Sequence, residues 1–312
     1  MIAILGGIGT AALWATTLLG SARASRVIGA WSTLAWVMLV GLVIAVPFLV
    51  VGGGDVRLTE RDLLHLAVAG LANTGGLLFV YTALRRGKVA VVGPIVSTEG
   101  AIAATLAVLA GDPVSGPAIA ILALIAVGVV MAATERSARA AHRGGDGPPP
   151  GTGAPPGTGA PPGAATPTAF VAAPGALATA LLALAGALLF GVNLYVTSRL
   201  AADLPLAWAV LPARAAGVLG VTLPLALTRR LRLTRAVAPF VIVVGVAEVA
   251  GVVTFGIGAR ESAAVTAVIA SQFAGVAAVA AFLLFGERLG RIQVAGVALI
   301  AFGVAALAWL QG

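Results

Sequence analysis

The stretch PPPGTGAPPGTGAPPG, Pro148 to Gly163, interrupts a chain that is otherwise almost continuously apolar. It holds no side chain larger than Thr or Pro, so it has almost nothing to bury. Pro removes backbone donors and Gly raises the entropy of the free chain, a composition that reads as a flexible tether. A tether joins two bodies, and the reading of the fold turns on what stands on either side.

Of 312 residues, 60% are hydrophobic and only 10% charged, against about 25% charged in a soluble domain. With a mean hydropathy of +1.08, the chain reads as an integral membrane protein. The absence of cysteine removes disulfides, thiolate metal sites and thiol nucleophiles. His65 and His142 are too few for a histidine metal cluster, so no metal and no cofactor are expected. The net charge of +8 is spread in short groups between apolar segments, the pattern of membrane loops and not of a nucleic-acid surface.

A bilayer core of roughly 30 Å takes about 20 apolar residues per helix. On that ruler the first half divides into spans near 2–20, 28–51, 63–84, 89–110 and 114–134. The second half divides near 176–198, 206–227, 236–259, 263–285 and 290–310. Strands are excluded because lipid satisfies no backbone groups and no dyad alternation is present. The apolar start lacks a preceding basic residue, so 2–20 reads as a retained span despite the SARAS stretch that follows it. The punctuation agrees with these cuts. Gly111–Pro113 combines a stop, a cap at Asp112 and a first-turn Pro, and Trp31, Trp36, Trp208 and Trp309 suit an interfacial belt.

Shifted by 175 residues, Gly70–Val130 overlies Gly245–Ala305 without a gap. Gly70, Gly76, Arg85 and Gly100 fall on Gly245, Gly251, Arg260 and Gly275. A shift of 176 sets Trp14 on Phe190 and Arg23 on Arg199. Because five is odd, a second copy of five helices enters the membrane from the opposite side. The expected fold is an all-α integral membrane protein of ten transmembrane helices in two inverted five-helix repeats. The expected boundaries are 1–134 for the first repeat, 135–173 for the linker and 174–312 for the second repeat.

AALWATT, YTALRRGKVAVVGPI and GDPVSGPAIAILALIAVGVVMA in the first half resemble the EamA type of the drug/metabolite transporter superfamily. LLFGVN, FGIGARESAAVTAVIASQF and LLFGERLGRIQVAGVALIAFGVAAL carry the resemblance through the second half. The first copy departs from the family's usual Gly-Glu by having GDP. The resemblance implies export or exchange of small metabolites or drugs across the inner membrane, and it implies no invariant catalytic set.

A charge at mid-span costs around 2.5–3.5 kcal/mol on insertion scales. Glu99, Arg214 and Glu248 stand there, and are expected to face a bundle interior or a wet cavity. Glu99 and Glu248 are candidates for titration or substrate binding, with Arg214 as counter-charge or anion contact. Asn73, Tyr81, Ser97, Asn193, Tyr195, Ser271 and Gln272 form a polar second group. The repeat pairs Asn73 with Glu248 and Ser97 with Gln272. Pro94 and Pro212 are candidate helix breaks beside the charges. The expected partners are a small-molecule substrate, protons and membrane lipids, with Arg229–Arg235 (RRLRLTR) against anionic headgroups.

Summed over alternate loops, fourteen basic residues fall on one side, while Arg57, Arg61, Arg199 and Arg260 fall on the other. The positive-inside rule then places both termini outside, whereas the family resemblance implies cytoplasmic termini. The function expected is secondary active transport across the cytoplasmic membrane by alternating access, driven by an ion gradient or by exchange. A channel or facilitator without ion coupling is the alternative. No nucleophile, base or metal grouping points to an enzyme.

Overall fold

The computed structural model describes residues 1–52, 56–87, 89–111, 116–133, 176–277 and scattered positions from 280 to 306. The linker 135–173, Asp112, Pro113, Trp309 and most of the span expected at 290–310 lie outside the described residues. Within them the chain is helical: α1 (Ile2–Ile28), α2 (Ala30–Gly52), α3 (Glu60–Arg86), α4 (Val89–Val96), α5 (Glu99–Leu109) and α6 (Gly116–Ala133). After the linker come α7 (Ala176–Asp203), α8 (Leu206–Gly217), a π turn (Val218–Thr222), α9 (Leu223–Leu227), α10 (Ala238–Ala259) and α11 (Ala263–Ala270). Six helical stretches among these are long and apolar enough to cross a membrane.

Several helices outrun their apolar windows. The helix α1 continues through the SARAS stretch to Ile28, where Gly29 ends it at φ +86, a conformation that suits a residue without Cβ. Ser21 and Ser25 are buried and return their hydroxyls to the carbonyls of Leu18 and Ala22, so the polar segment stays helical. A capping box between Thr59 and Asp62 starts α3, and Arg85 and Arg86 close it against the negative end of the helix dipole.

Both prolines expected to break helices sit inside them instead. Pro94 belongs to α4 and Pro212 to α8. The interruptions come later, at Ser97–Thr98 between α4 and α5 and at the π turn after α8. A matching turn at Ser271–Gln272 interrupts the helix begun by α11, which resumes over 273–277 without any proline. The two turns share one backbone pattern. Ser97 N–H donates to Gly93 O at 2.9 Å and Thr98 N–H to Ile95 O at 3.2 Å. Ser271 N–H donates to Ala267 O at 2.9 Å and Gln272 N–H to Ile269 O at 3.1 Å. Here the repeat is in register at a shift of 174, so Ser97 corresponds to Ser271 and not to Gln272.

Contacts at the helix ends settle the relative directions of the described helices. The Ala3 N–H, at the start of α1, donates to the Glu261 carboxylate just past α10. That bond and the ammonium of Met1 hold the Glu261 carboxyl below its usual range. The guanidinium of Arg260 donates to Ala201 O at 2.8 Å and Leu204 O at 3.0 Å, which brings the end of α7 to the same place. At the far end, Arg26 of α1 donates to Gly87 O beyond α3 at 3.1 Å. Accordingly α1 and α7 run in opposite directions, and so do α3 and α10.

Packing exchanges in pairs under the same relation. The helix α1 lies along α10 while α3 lies along α7, and α2 meets α8. Trp14 of α1 fits against Gly251 of α10, where no Cβ would have room. Phe190 of α7 fits against Gly76 of α3, where a Cβ would stand 2.6 Å from the ring. Gly70 lets α3 approach α8: a Cβ there would lie 2.7 Å from Pro212 O and 3.0 Å from Pro212 C. Backbone cannot move aside as a side chain does. Gly70→Ala is therefore expected to cost about 1–3 kcal/mol, as overpacking does, read as a lower thermal midpoint of the protein in detergent.

Candidate functional site

Four helices meet at their midpoints around a cavity of about 50 Å³. Trp14, Thr17, Leu18 and Ser21 come from α1, and Asn73, Leu77, Val80 and Tyr81 from α3. Phe190, Asn193 and Leu194 come from α7, Glu248 from α10, and Val96, Glu99 and Phe273 from the two interrupted helices. Glu248 stands near the middle of α10, about 15 Å from each end at 1.5 Å per residue, which is mid-depth in a bilayer core. A volume of about 50 Å³ holds a few waters or a small ion and is far below the roughly 300 Å³ at which drug-sized pockets begin.

The two halves contribute lining residues in equivalent pairs: Trp14 with Phe190, Thr17 with Asn193, Leu18 with Leu194, Asn73 with Glu248, and Glu99 with Phe273. Their chemistry is not equivalent. Where the second half has Arg214 and Glu248, the corresponding residues of the first half are Met38 and Asn73. Arg214 is fully buried, with Nη2 3.5 Å from Glu248 Oε1 and Nη1 3.6 Å from Met38 Sδ. Gly41 provides its room, since a Cβ there would lie 2.6 Å from Arg214 Cδ. The pair is therefore set behind the cavity wall, with the Glu248 side chain reaching the lining and the guanidinium held in the protein.

Glu99 stands differently. It opens α5 in the first turn after the Ser97–Thr98 interruption, is 2% exposed, and has no cation opposite it among the described residues. Its Oε1 has no hydrogen-bond partner among the described residues. Trp14 Nε1, Thr17 Oγ1 and Asn73 Oδ1 are likewise buried and unpartnered, and all three line the same cavity. The hydrophobic part of the wall sets four aromatic rings beside Leu18, Leu77, Val80, Val96 and Leu194: Trp14, which stacks on Phe255 behind it (centroids 6.1 Å apart) and meets Phe273 edge-on at 6.3 Å, then Phe273 itself, Tyr81 and Phe190.

Of the residues singled out by sequence, Asn73, Tyr81, Glu99, Asn193 and Glu248 meet at the cavity. Arg214 reaches it only through Glu248. Ser97, Ser271 and Gln272 form the facing interruptions, where Gly100 packs on Ser271. Ser271 Oγ and Gln272 Nε2 both turn back to Val268 O, so those groups serve their own helix. Tyr195 is absent from the lining and lies beneath the Arg199 guanidinium, 5.1 Å from its ring centre. Pro94 lies within α4 and Pro212 within α8, as above. Trp14, Thr17, Ser21, Phe190 and Phe273 were not singled out as site candidates, because uncharged residues on an apolar helix do not announce which face is inward. The pairing of Trp14 with Phe190 across the repeat was the available signal.

Residues 1–134 match the EamA-like transporter family. The chain is accordingly a multi-pass membrane protein whose first 134 residues are EamA-like. A solved structure titled "Crystal structure of protein" has the same fold, with a TM-score of 0.71 over 99% of this chain and 96% of its own. At 18% identity that likeness speaks for the fold alone. No curated protein matches the sequence. The EamA-like match contains Trp14, Asn73, Tyr81 and Glu99, and ten of the fifteen residues of the cavity wall belong to the matched segment.

Proposed function

We propose that this EamA-like chain is a secondary active transporter of small organic solutes across the cytoplasmic membrane. It works by alternating access between two inverted five-helix repeats, ten spans in all. Opposed directions of α1 and α7, and of α3 and α10, support the inversion. So does the paired lining of the cavity.

The observation that carries the reading is the charge count at mid-depth. Two carboxyl groups line the cavity there, and the one guanidinium, behind the wall, is engaged by Glu248. Glu99 is left to accept one positive charge, either a proton or the cationic end of a substrate. A buried charge without a partner costs several kcal/mol, so occlusion requires that the charge be met. The aromatic wall favours a substrate with an apolar or aromatic body, because ring faces attract cations and bury area. Arg214, paired and behind the wall, offers nothing to an anion. Exchange of a proton for a cationic substrate on Glu99 couples the two fluxes, since neither can occupy the carboxylate with the other.

Purified protein in liposomes tests this. Lipophilic organic cations are expected to accumulate against their gradient when a proton gradient is imposed, and to equilibrate only slowly without it. Uptake indifferent to the proton gradient would point to an uncoupled facilitator instead.

A further inference from the structure

A second, larger recess lies away from the transport cavity, at the membrane end where α1, α3 and α9 finish. Its volume is about 760 Å³, and Arg26, Arg85, Arg229, Arg230, Arg232 and Trp31 line it. Arg26 spends its guanidinium on the carbonyls of Leu84 and Gly87 and fixes the floor. The guanidiniums of Arg85, Arg229, Arg230 and Arg232 face no carboxylate among the described residues. Three chain segments distant in sequence thus bring unneutralised charge to one recess.

The backbone at Arg229 adds an independent mark. Arg230 N–H donates to Leu225 O at 2.9 Å and Arg229 N–H to Ala226 O at 3.0 Å, the double bond pattern that ends helices on a left-handed residue. Glycine is the usual occupant of that position. Here an arginine holds φ +54, the one positive φ of a non-glycine among the described residues, at a cost of roughly 1–2 kcal/mol. A capping role alone would be met better by glycine, so the guanidinium is what the position retains. From the recess a stripe of exposed leucines, Leu219, Leu223 and Leu227, runs back along the π turn and α9. Trp31, 52% exposed, stands at the rim, as indoles do at headgroup level.

We infer that this recess is a binding site for the phosphate headgroup of an anionic phospholipid, with the leucine stripe carrying an acyl chain. Basic recesses between helix ends suit such headgroups, and a soluble phosphate would have no use for the leucines. The site is separate from the cavity, so the inference stands or falls independently of the transport reading.

The full chain in phosphatidylcholine nanodiscs doped with phosphatidylglycerol tests it, with retained lipid counted by native mass spectrometry. Wild type is expected to retain phosphatidylglycerol over phosphatidylcholine. Arg229→Gly is expected to lower that retention about fivefold, the worth of one guanidinium near a headgroup, while its thermal midpoint stays level or rises. Arg235→Gln, which removes the same charge outside the recess, is expected to retain lipid as wild type does. Equal loss in Arg235→Gln would reduce the effect to surface potential and overturn the site. Unchanged retention in Arg229→Gly, or full displacement of the lipid by inorganic phosphate, would overturn it as well.

Discussion

Glu99→Gln is expected to reduce proton-driven cation flux in liposomes to background while leaving the protein folded. A carboxylate and a cation 4 Å apart at an effective dielectric of 20 attract by about 4 kcal/mol. Losing that attraction corresponds to roughly a thousandfold in affinity, and flux at sub-saturating substrate falls with it. Glutamine keeps the shape and hydrogen-bonding capacity of the side chain, so the packing of α5 against α7 is undisturbed. Burying glutamine instead of an unpaired carboxyl removes an electrostatic liability, and the thermal midpoint is expected to hold or rise. Opposite movements of stability and transport distinguish a working charge from a structural one. If flux in Glu99→Gln matches wild type, the proposed coupling site is wrong.

Arg214 and Glu248 are expected to behave in the contrary manner. Removing either partner strands the other in a fully buried position, and breaking a buried pair costs about 3–5 kcal/mol. Arg214→Met and Glu248→Asn should each lower the unfolding midpoint sharply. The double variant reproduces the pair that the first half already carries, Met38 and Asn73, in the equivalent place. Replacing both charges is often neutral, or even stabilising, where the neutral side chains pack. The double variant is therefore expected to be more stable than either single one, a coupling of several kcal/mol in a double-mutant cycle. It also leaves Glu99 as the sole charge at the cavity, so cation flux should persist. A double variant as unstable as the sum of the singles would show that the ion pair is not what the fold requires here.

These two predictions separate residues that composition treats alike. From hydropathy, Glu99, Arg214 and Glu248 are three equal intrusions into apolar segments. Nothing in their spacing says that Arg214 and Glu248, on α8 and α10, neutralise one another and leave Glu99 unmatched. That division depends on which helix faces meet. Side-chain reach matters too: Arg214 extends past Gly41 to find Glu248, and a Cβ on Gly41 would stand in its path.

What the amino-acid order determined alone is the class of structure. Apolar stretches of about twenty residues in lipid must satisfy every backbone group internally, so they become helices wherever they pack. The recurrence of Gly70, Gly76 and Arg85 at Gly245, Gly251 and Arg260 likewise marks a repeat before any coordinate is known. Helix ends were less legible, because Ser21 and Ser25 bond to their own helix and carry α1 beyond its apolar window. The interruptions fall a few residues beyond the prolines expected to make them: α4 runs past Pro94 to Val96 and α8 past Pro212 to Gly217. Only the tertiary structure decided that Trp14, Phe190 and Phe273 wall one cavity with Glu99. An inward face is a property of two packed surfaces, and a helix apolar all round carries no mark of which side its partner will take.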